Sequence, residues 1–382
     1  MKRAIVAIVT DYAPPATRGG AVRALTAMTG AIHDRVDLRV ITRDHDALTG
    51  APLEVDSSDR WVRENGIQIL RLSRKAVILR SLHRTIAETG ASNIFTNSLF
   101  SRLTQKLLAR RCLSSTALPP LVIAPEGELD AGALAVKPLR KHVWLSLATR
   151  TGLLRNVTWK AASEIERAAI RRAVPGATVT LLPYVTRPTP ALGQRGTKVT
   201  GNGRLLFLSR IAPKKNLRFL LQCLRNAPQG TELTIVGPID DTAEWESCKR
   251  IIRSLPPGVQ ARYLGEVAPA DVWRHYQAAD AFVLPTLGEN HGYAIEDAVR
   301  AGCPPLISDR TPWSFLGDEA AGFVLPLDDS ATWTAAIADI VAMDEDRHAA
   351  MRARCHAVAR RLTSDEKLVD GYVRLLTGTP TD

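Results

Sequence analysis

The sequence has no apolar run long enough to cross a bilayer. Its first apolar stretch, residues 4–9, follows Lys2-Arg3 and ends before Asp11. This stretch is too short for a signal peptide or a membrane span, and it predicts a buried first strand. We therefore expect a cytoplasmic protein, or one that lies against the inner face of the cell membrane.

Aromatic residues are also scarce, at 5% of the chain, which argues against a stacking surface for nucleic acid. The cysteines are odd in number, widely spaced and without a C-x-x-C pair: Cys112, Cys223, Cys248, Cys303 and Cys355. This pattern favours reduced thiols over a disulfide framework or a zinc site. No pair of histidines has the spacing of metal ligands either. We expect no nucleic-acid partner, no cofactor and no bound metal.

Positive charge is concentrated in the first half of the chain. Residues 1–200 hold 30 Lys and Arg against 15 Asp and Glu, whereas residues 201–382 hold 20 against 24. Basic segments with helical spacing occur at 75–84 and 101–112. Each of these segments alone is more typical of a solvated helix face than of a lipid-binding one, but together they predict an anionic acceptor or an anionic membrane surface as partner.

Apolar strand-like runs alternate with helical patterns in both halves of the chain, which predicts parallel sheets covered by helices. The predicted strands are residues 4–9, 36–42, 66–72, 121–125, 179–182, 205–209, 232–236, 261–264, 281–285 and 304–308. The predicted helices include 20–32, 217–224, 243–254, 270–279 and 293–301. Residues 183–204, rich in Pro, Gly and Thr, predict a linker. The fold class is therefore α/β, with two doubly wound domains at 1–185 and 186–364.

The segment of residues 281–308 carries the most chemistry: AFVLPTLGENHGYAIEDAVRAGCPPLIS. A strand pattern is followed by a loop that contains Glu289 and Gly292, and a helix pattern begins near Tyr293. The backbone N–H groups at the start of such a helix can hold an anionic group such as a diphosphate. Asp297, one turn into the helix, can accept hydrogen bonds from sugar hydroxyls. The alternative is a turn whose acidic residues only complement the helix dipole.

Two further loops follow predicted strands. In residues 207–217 (FLSRIAPKKNL) a strand pattern ends near Arg210, and Lys215 follows, so that two cations can neutralise a pyrophosphate. A solvated basic loop is the alternative. Residues 10–23 place Gly19-Gly20 at the start of a helix, without a full dinucleotide-binding fingerprint.

Together these segments resemble the family 4 (group 1) retaining glycosyltransferases over nearly the whole chain. The most specific segment is PTLGENHGYAIEDAVRAGCPPLIS, and the others are Gly19-Gly20, the Ser-Arg-Ile segment up to Lys215, Val236-Gly237 and Leu264-Gly265-Glu266-Val267. The stretches APEGELDAGALAVKPLRK and WKAASEIERAAI resemble a branch found among bacterial capsule and exopolysaccharide enzymes.

The resemblance implies the GT-B fold, in which two Rossmann-like domains face each other across a cleft. The C-terminal domain then holds the donor, the N-terminal domain holds the acceptor, and a helix at about 365–382 packs back on the N-terminal domain. The implied donor-site residues are Arg210 and Lys215 on the diphosphate, Glu289 on the sugar, His291, Gly292 and Tyr293 at sugar and phosphate, Asp297 on the ribose, Val267 beside the base, and Gly19 and Gly20 on the diphosphate from the N-terminal side.

Two positions depart from the family pattern. The second acid of the E-x7-E motif is Asp297 here, with Glu296 one place earlier, and the shorter side chain changes the implied ribose contact. The branch usually has Pro-Arg-Gly where this chain has Pro125-Glu126-Gly127, which reverses a charge near the expected acceptor site.

The expected activity is metal-independent hexosyl transfer, with retention, from a sugar nucleotide to an acceptor. A lipid-linked oligosaccharide of surface polysaccharide assembly is the first choice of acceptor, and a small natural product is the second. A sugar-nucleotide epimerase of the same fold and a catalytically silent sugar-nucleotide-binding protein are the alternatives from other classes. One D-x-D sequence, Asp44-His45-Asp46, would suit a metal-dependent transferase, but we interpret it as a solvated loop.

Overall fold

The structure is a computed structural model that describes residues 2–12, 20–45, 52–53, 58–74, 79–113, 118–134, 138–186, 196–362 and 366–378. The chain divides into two compact units, one of Met1–Arg187 with Ser364–Asp382 and one of Pro188–Thr363. The boundaries predicted from the sequence are residues 185/186 and about 365. No helix in the described ranges is both long and apolar enough to span a membrane.

The N-terminal unit contains one sheet. Its strands are β1 (Ala4–Ile8), β2 (Asp37–Arg43), β3 (Trp61–Glu64), β4 (Ile67–Leu72), β5 (Asn93–Thr96), β6 (Leu121–Ile123), β7 (Val157–Ala161) and β8 (Thr178–Leu181). They lie in the order β3-β4-β2-β1-β5-β6-β7-β8. All neighbours pair in parallel except β3, which pairs antiparallel with β4 through a tight turn at Asn65-Gly66 and was not predicted.

Helices cover both faces of this sheet. They are α1 (Gly20–Ile32), α2 (Leu79–Glu88), α3 (Arg102–Leu113), α4 (Ala131–Leu134), α5 (Pro138–Arg150), α6 (Glu164–Ala173) and, from the end of the chain, α14 (Glu366–Thr377). Side chains alternate along a strand, so Val6 and Ile8 of β1 join one buried cluster with α3, α5 and α6. Ile5 and Ala7 join a second cluster with α1 and α14.

The C-terminal unit contains a second, wholly parallel sheet in its described residues. Its strands are β9 (Gly203–Leu208), β10 (Thr231–Val236), β11 (Val259–Tyr263), β12 (Ala281–Leu284), β13 (Pro305–Ser308) and β14 (Phe323–Leu325). The helices are α7 (Leu217–Leu224), α8 (Thr242–Ile252), α9 (Val272–Ala278), α10 (Tyr293–Arg300), α11 (Phe315–Asp318), α12 (Ser330–Ala342) and α13 (Glu345–Arg361).

The strand order of the C-terminal sheet is β11-β10-β9-β12-β13-β14. This is the order 3-2-1-4-5-6 of dinucleotide-binding sheets, and the chain reverses direction across the sheet between β9 and β12. Loops that leave neighbouring strands at such a switch point diverge and open a crevice at their carboxyl ends. The α/β fold class with two Rossmann-like units is thereby confirmed, and the C-terminal switch point locates the loops that matter for ligand binding.

The predicted linker needs one correction. Residues 187–195 lie outside the described residues, but both flanks are part of the folded units. Tyr184 and Val185 are buried, and β9 already begins at Gly203. Lys198 is 3% exposed, and its backbone N–H donates to Glu345 Oε2 at 2.6 Å. Composition alone did not reveal these contacts because they come from residues distant in sequence.

Two glycines at the ends of neighbouring strands give a test of this packing. A Cβ at Gly237, after β10 with φ +136°, would lie 2.1 Å from the carbonyl oxygen of Ser209, whereas a Cβ at Gly265, after β11 with φ +81°, would meet nothing within 4 Å. We expect Gly265→Ala to lower the free energy of unfolding by roughly 1–2 kcal/mol, from the positive φ alone. Gly237→Ala should cost more, because the backbone that leads to Arg210 must also move. Urea unfolding of both variants measures this, and equal losses would contradict it.

Candidate functional site

Two loops meet at the switch point of the C-terminal sheet. The first leaves β9 and forms a 3-10 turn at Pro213–Lys215, and the second leaves β12. The carbonyl oxygen of Lys214 accepts hydrogen bonds from the backbone N–H of Leu287 at 2.8 Å and from Thr286 Oγ1 at 3.1 Å. The structure therefore holds the predicted Arg210–Lys215 loop and the predicted Glu289 loop against each other.

Lys215 and Glu289 form an ion pair where these loops meet. Lys215 Nζ lies 2.6 Å from Glu289 Oε1, and the two side chains are 14% and 11% exposed. The backbone N–H of Glu289 also donates to the carbonyl oxygen of Arg310 at 3.2 Å, which fixes the loop from its other side. An ammonium group has three protons to donate, so Lys215 can bond a ligand phosphate while it stays paired with Glu289.

Arg210 has a different partner from the one the sequence suggests. Its guanidinium pairs with Asp240, in the loop after β10, and its side chain is 54% exposed. The loop that carries Asp240 is fixed in turn, because the backbone N–H of Asp240 donates to the carbonyl oxygen of Ile211 at 3.1 Å. Arg210 therefore stands at the rim of the crevice, where it is held by an acidic side chain rather than buried.

The helix predicted at residues 293–301 is α10, and it begins as expected at Tyr293. Gly292 precedes it with φ +82°, and a Cβ at this position would approach Ile295 Cδ1 to 3.0 Å and Trp313 Nε1 to 3.3 Å. Glycine is therefore favoured here by conformation and by space. The helix dipole puts a partial positive charge at this end of α10, where the Ile295 N–H already donates to the carbonyl oxygen of Gly292 at 2.8 Å.

A buried network of polar side chains, made of His291, Glu296 and Arg300, supports this turn and was not predicted from the sequence. Glu296 is 2% exposed; its Oε2 accepts from His291 Nε2 at 2.6 Å and its Oε1 accepts from Arg300 Nε at 2.8 Å. Burial alone would raise the pKa of Glu296, but the hydrogen bonds and charges of His291 and Arg300 outweigh it and hold this pKa below its usual range. The i, i+4 spacing of Glu296 and Arg300 is the one sequence signal that could have indicated the pair.

The same polar network fixes the backbone beside Gly292. The carbonyl oxygen of His291 accepts a hydrogen bond from Trp313 Nε1, and the His291 ring stands edge-on to Tyr293, with 4.3 Å between ring centres. His291 is therefore anchored through its side chain and through its backbone. What this anchoring orients is the turn that presents the N-terminus of α10.

The remaining predicted residues are less closely grouped. Asp297 lies inside α10 and is 5% exposed, and Val267 follows β11 and packs partly buried against the core of the C-terminal unit. Gly20 begins α1 in the N-terminal unit, and Gly19 lies outside the described residues. The ribose, base and diphosphate contacts expected of these residues stay predictions.

The D-x-D sequence, which we interpret as a solvated loop, lies only partly within the described residues. Of the D-x-D sequence, Asp46 lies outside the described residues, and Asp44 accepts from His45 Nδ1 at 2.9 Å and from Ser58 Oγ at 2.8 Å. The described residues contain no group of three or more His, Cys, Asp or Glu side chains that could hold a metal ion.

The second departure, Glu126, lies in a polar cluster of the N-terminal unit. It follows β6 with φ +53°, its carboxylate accepts from the Tyr184 hydroxyl, and it lines a small cavity with Asn97 and Lys160. Lys160, on β7, is 2% exposed and its Nζ lies 4.0 Å from the centre of the Tyr184 ring. Burial raises the pKa of Glu126 to about 7, although the charge of Lys160 acts in the opposite direction.

Comparison with known proteins places this site in a family. The model of the family described as glycosyl transferases group 1 matches residues 192–355, which include both switch-point loops and α10. A segment of 112 residues is 31% identical to the O-antigen chain mannosyltransferase B of Escherichia coli. That segment covers 28% of this chain and spans only 29% of the relative's length.

Solved structures resemble the whole chain. Sucrose-phosphate synthase from Thermosynechococcus elongatus matches with a TM-score of 0.75, at 17% identity and 98% of each chain. Anabaena HepE, in complex with UDP and glucose, matches with a TM-score of 0.69 at 18% identity, over 98% of this chain and 100% of its own. WaaG, a glycosyltransferase of lipopolysaccharide biosynthesis, matches with a TM-score of 0.68 at 14% identity, over the same shares. At these identities the likeness is one of fold.

The predicted family is thus confirmed by the match over residues 192–355 and by the fold shared with GT-B glycosyltransferases. Over residues 192–355 the chain matches the glycosyl transferases of group 1, and over its whole length it shares their fold.

Proposed function

We propose that this protein transfers a hexosyl group from a nucleoside-diphosphate sugar to a glycan acceptor, with retention of anomeric configuration. The observation that carries the proposal is the Lys215–Glu289 pair beside the N-terminus of α10, at the switch point of the C-terminal sheet. This arrangement puts a cation, a carboxylate and helix N–H groups at one crevice. A sugar diphosphate needs all three, since its phosphates are anionic and its sugar carries hydroxyl donors.

The proposed chemistry follows from these charges. Lys215, the first-turn N–H groups of α10 and, after exchange from Asp240, Arg210 stabilise the negative charge that develops on the leaving diphosphate. Because these groups supply the positive charge that a divalent cation supplies elsewhere, we propose that the reaction needs no metal. Glu289 accepts hydrogen bonds from the donor sugar, Asp297 from the ribose, and Val267 packs beside the base.

We propose a lipid-linked oligosaccharide of surface polysaccharide assembly as the acceptor, bound by the N-terminal unit at the inner face of the cell membrane. Two comparisons support this choice, since one relative is named for the O-antigen chain and one structural neighbour for lipopolysaccharide biosynthesis. The excess of positive charge in residues 1–200 also suits an anionic lipid carrier.

Removal of the two cations tests the donor site. We expect Lys215→Ala to raise the donor Kd by roughly 10-fold or more, because charge-assisted hydrogen bonds contribute about 1.5–3 kcal/mol each. Arg210→Ala should have a smaller effect on Kd but should lower turnover. Calorimetric titration with a panel of sugar nucleotides measures binding, and nucleotide release with acceptor measures turnover.

The matched control is Lys214→Ala. This variant removes the same charge from the neighbouring residue, whose side chain is exposed. If Lys215→Ala and Arg210→Ala leave donor binding and turnover unchanged, the site assignment is wrong. Conversion of donor in the absence of any acceptor would indicate an epimerase. Donor binding without nucleotide release, with every acceptor fraction, would indicate a silent binding protein.

Glu296 gives a second test at the same site. Glu296→Leu removes both hydrogen bonds and leaves Arg300 buried without its carboxylate, so we expect a loss of about 3 kcal/mol in unfolding free energy and weaker donor binding. Glu296→Gln keeps hydrogen-bonding capacity and should lie between Glu296→Leu and wild type in both measurements. Glu319→Gln, which alters a solvent-exposed pair with Arg361, should change neither. Full donor affinity in a folded Glu296→Leu protein would show that the polar network of His291, Glu296 and Arg300 does not orient the turn.

A further inference from the structure

The outer face of α5 carries three aliphatic side chains in successive turns. Leu139 is 82% exposed, Val143 57% and Leu147 56%. Residues four apart lie on one face of a helix, so these side chains form a continuous apolar stripe. We propose that this stripe docks on an anionic lipid bilayer and holds the protein at the membrane face.

The opposite face of α5 fixes which way the stripe points. Leu145 and Ala148 are buried in the core of the N-terminal unit, and the Trp144 ring meets Phe100 edge-on with 5.6 Å between ring centres. Lys141 reaches the same side, where its Nζ donates to the carbonyl oxygen of Ala133 at 2.6 Å. The helix is therefore anchored by its inner face, and the stripe is a fixed part of the surface.

Three such side chains in a row are unusual for this molecule. Elsewhere in the described ranges the large exposed apolar side chains stand alone on their helix, strand or loop, as Ile165 does on α6 and Val199 does before β9. Single exposed apolar residues are normal on soluble proteins and carry no information. A stripe that extends over more than two helical turns has an energetic cost in water, which a covering partner removes.

Charge identifies the partner as anionic. Arg140 and Arg150 are exposed on the same side of α5 as the stripe. At about 100° per residue, Arg150 falls in line with the stripe and Arg140 beside it. Residues 137–172 hold nine Lys and Arg against two Glu. Apolar side chains among cations fit the boundary between headgroups and acyl chains of an anionic membrane.

This inference deepens the proposed function, on which it rests for one point: a lipid-linked acceptor would lie in the same bilayer. Binding of three side chains and a few cations is expected to be reversible and sensitive to salt. The docking itself can be measured without any sugar transfer. Its failure can therefore be separated from failure of the proposed enzyme activity.

The test is co-sedimentation of the full chain with vesicles of phosphatidylglycerol and phosphatidylcholine, compared with phosphatidylcholine alone. We expect wild type to bind the anionic vesicles, and high salt to weaken this binding. The double variant Leu139→Glu/Leu147→Glu should bind at least about 10-fold less. The milder double variant Leu139→Ser/Leu147→Ser should also bind less, and it keeps the test valid if the charged variant does not fold, as checked by thermal unfolding.

The control is Ile165→Glu, which places the same charge on α6 at a side chain of similar exposure, 58%. Equal vesicle binding by wild type and folded double variants would overturn the proposal, and so would equal loss of binding in Ile165→Glu. If wild type ignores vesicles but self-associates, and the double variant is monomeric, then the stripe is an interface between copies and the proposal is wrong. Normal donor binding alongside failed docking would leave the proposed function intact.

Discussion

The geometry of the candidate site depends on the carbonyl oxygen of Lys214. It accepts from Leu287 and Thr286 and so joins the loop after β9 to the loop after β12. Without these two hydrogen bonds, the loops would diverge at the switch point and separate Lys215 from Glu289. Because the loops are held together, Lys215 Nζ lies 2.6 Å from Glu289 Oε1, and both side chains are largely buried. Hydrogen bonds to one backbone carbonyl therefore bring the two loops together, and this contact places the Lys215 and Glu289 side chains side by side.

Much of the fold was predictable where the apolar pattern is strong. α1 (Gly20–Ile32) and α7 (Leu217–Leu224) begin and end at the predicted residues, because their apolar side chains recur at helical spacing. β5 (Asn93–Thr96), β7 (Val157–Ala161) and β14 (Phe323–Leu325) were missed; polar residues interrupt the apolar runs of β5 and β7, and β14 has only three residues. The antiparallel β3 was missed for a related reason, as its side chains are half exposed.

The candidate site was predictable in its loops but not in its side-chain pairs. Sequence spacing brought Arg210, Lys215 and Glu289 to one edge of the sheet, because parallel strands end together. It could not show that Arg210 pairs with Asp240 or that His291 bonds to Glu296. Such pairs depend on side-chain direction and burial, which local sequence does not encode.

The reversed charge at Glu126 is also clearer in three dimensions. The branch that the chain resembles usually has an arginine at this position, and its loss suggests a changed acceptor site. In the structure a cation is nevertheless present in the same cluster, because Lys160 on β7 lies beside Glu126 and Tyr184. With a pKa of about 7, Glu126 is only partly charged at neutral pH. The difference in charge from the branch is therefore smaller than a fully ionised carboxylate would make it.

The position of α14 has a consequence for the order in which the two units fold during synthesis. The Tyr372 hydroxyl on this helix donates to the carbonyl oxygen of Pro183, and the Arg3 guanidinium donates to the carbonyl oxygen of Thr377 at 2.6 Å. The helix α14 is therefore bonded to the residue that precedes β1. The C-terminal unit is thus an insertion within the N-terminal one. During synthesis, Tyr372 and Leu376 follow the whole inserted unit, so they can pack on the N-terminal sheet only after that unit has been made. The inserted unit is complete at Thr363 and can therefore fold before α14 closes the N-terminal core.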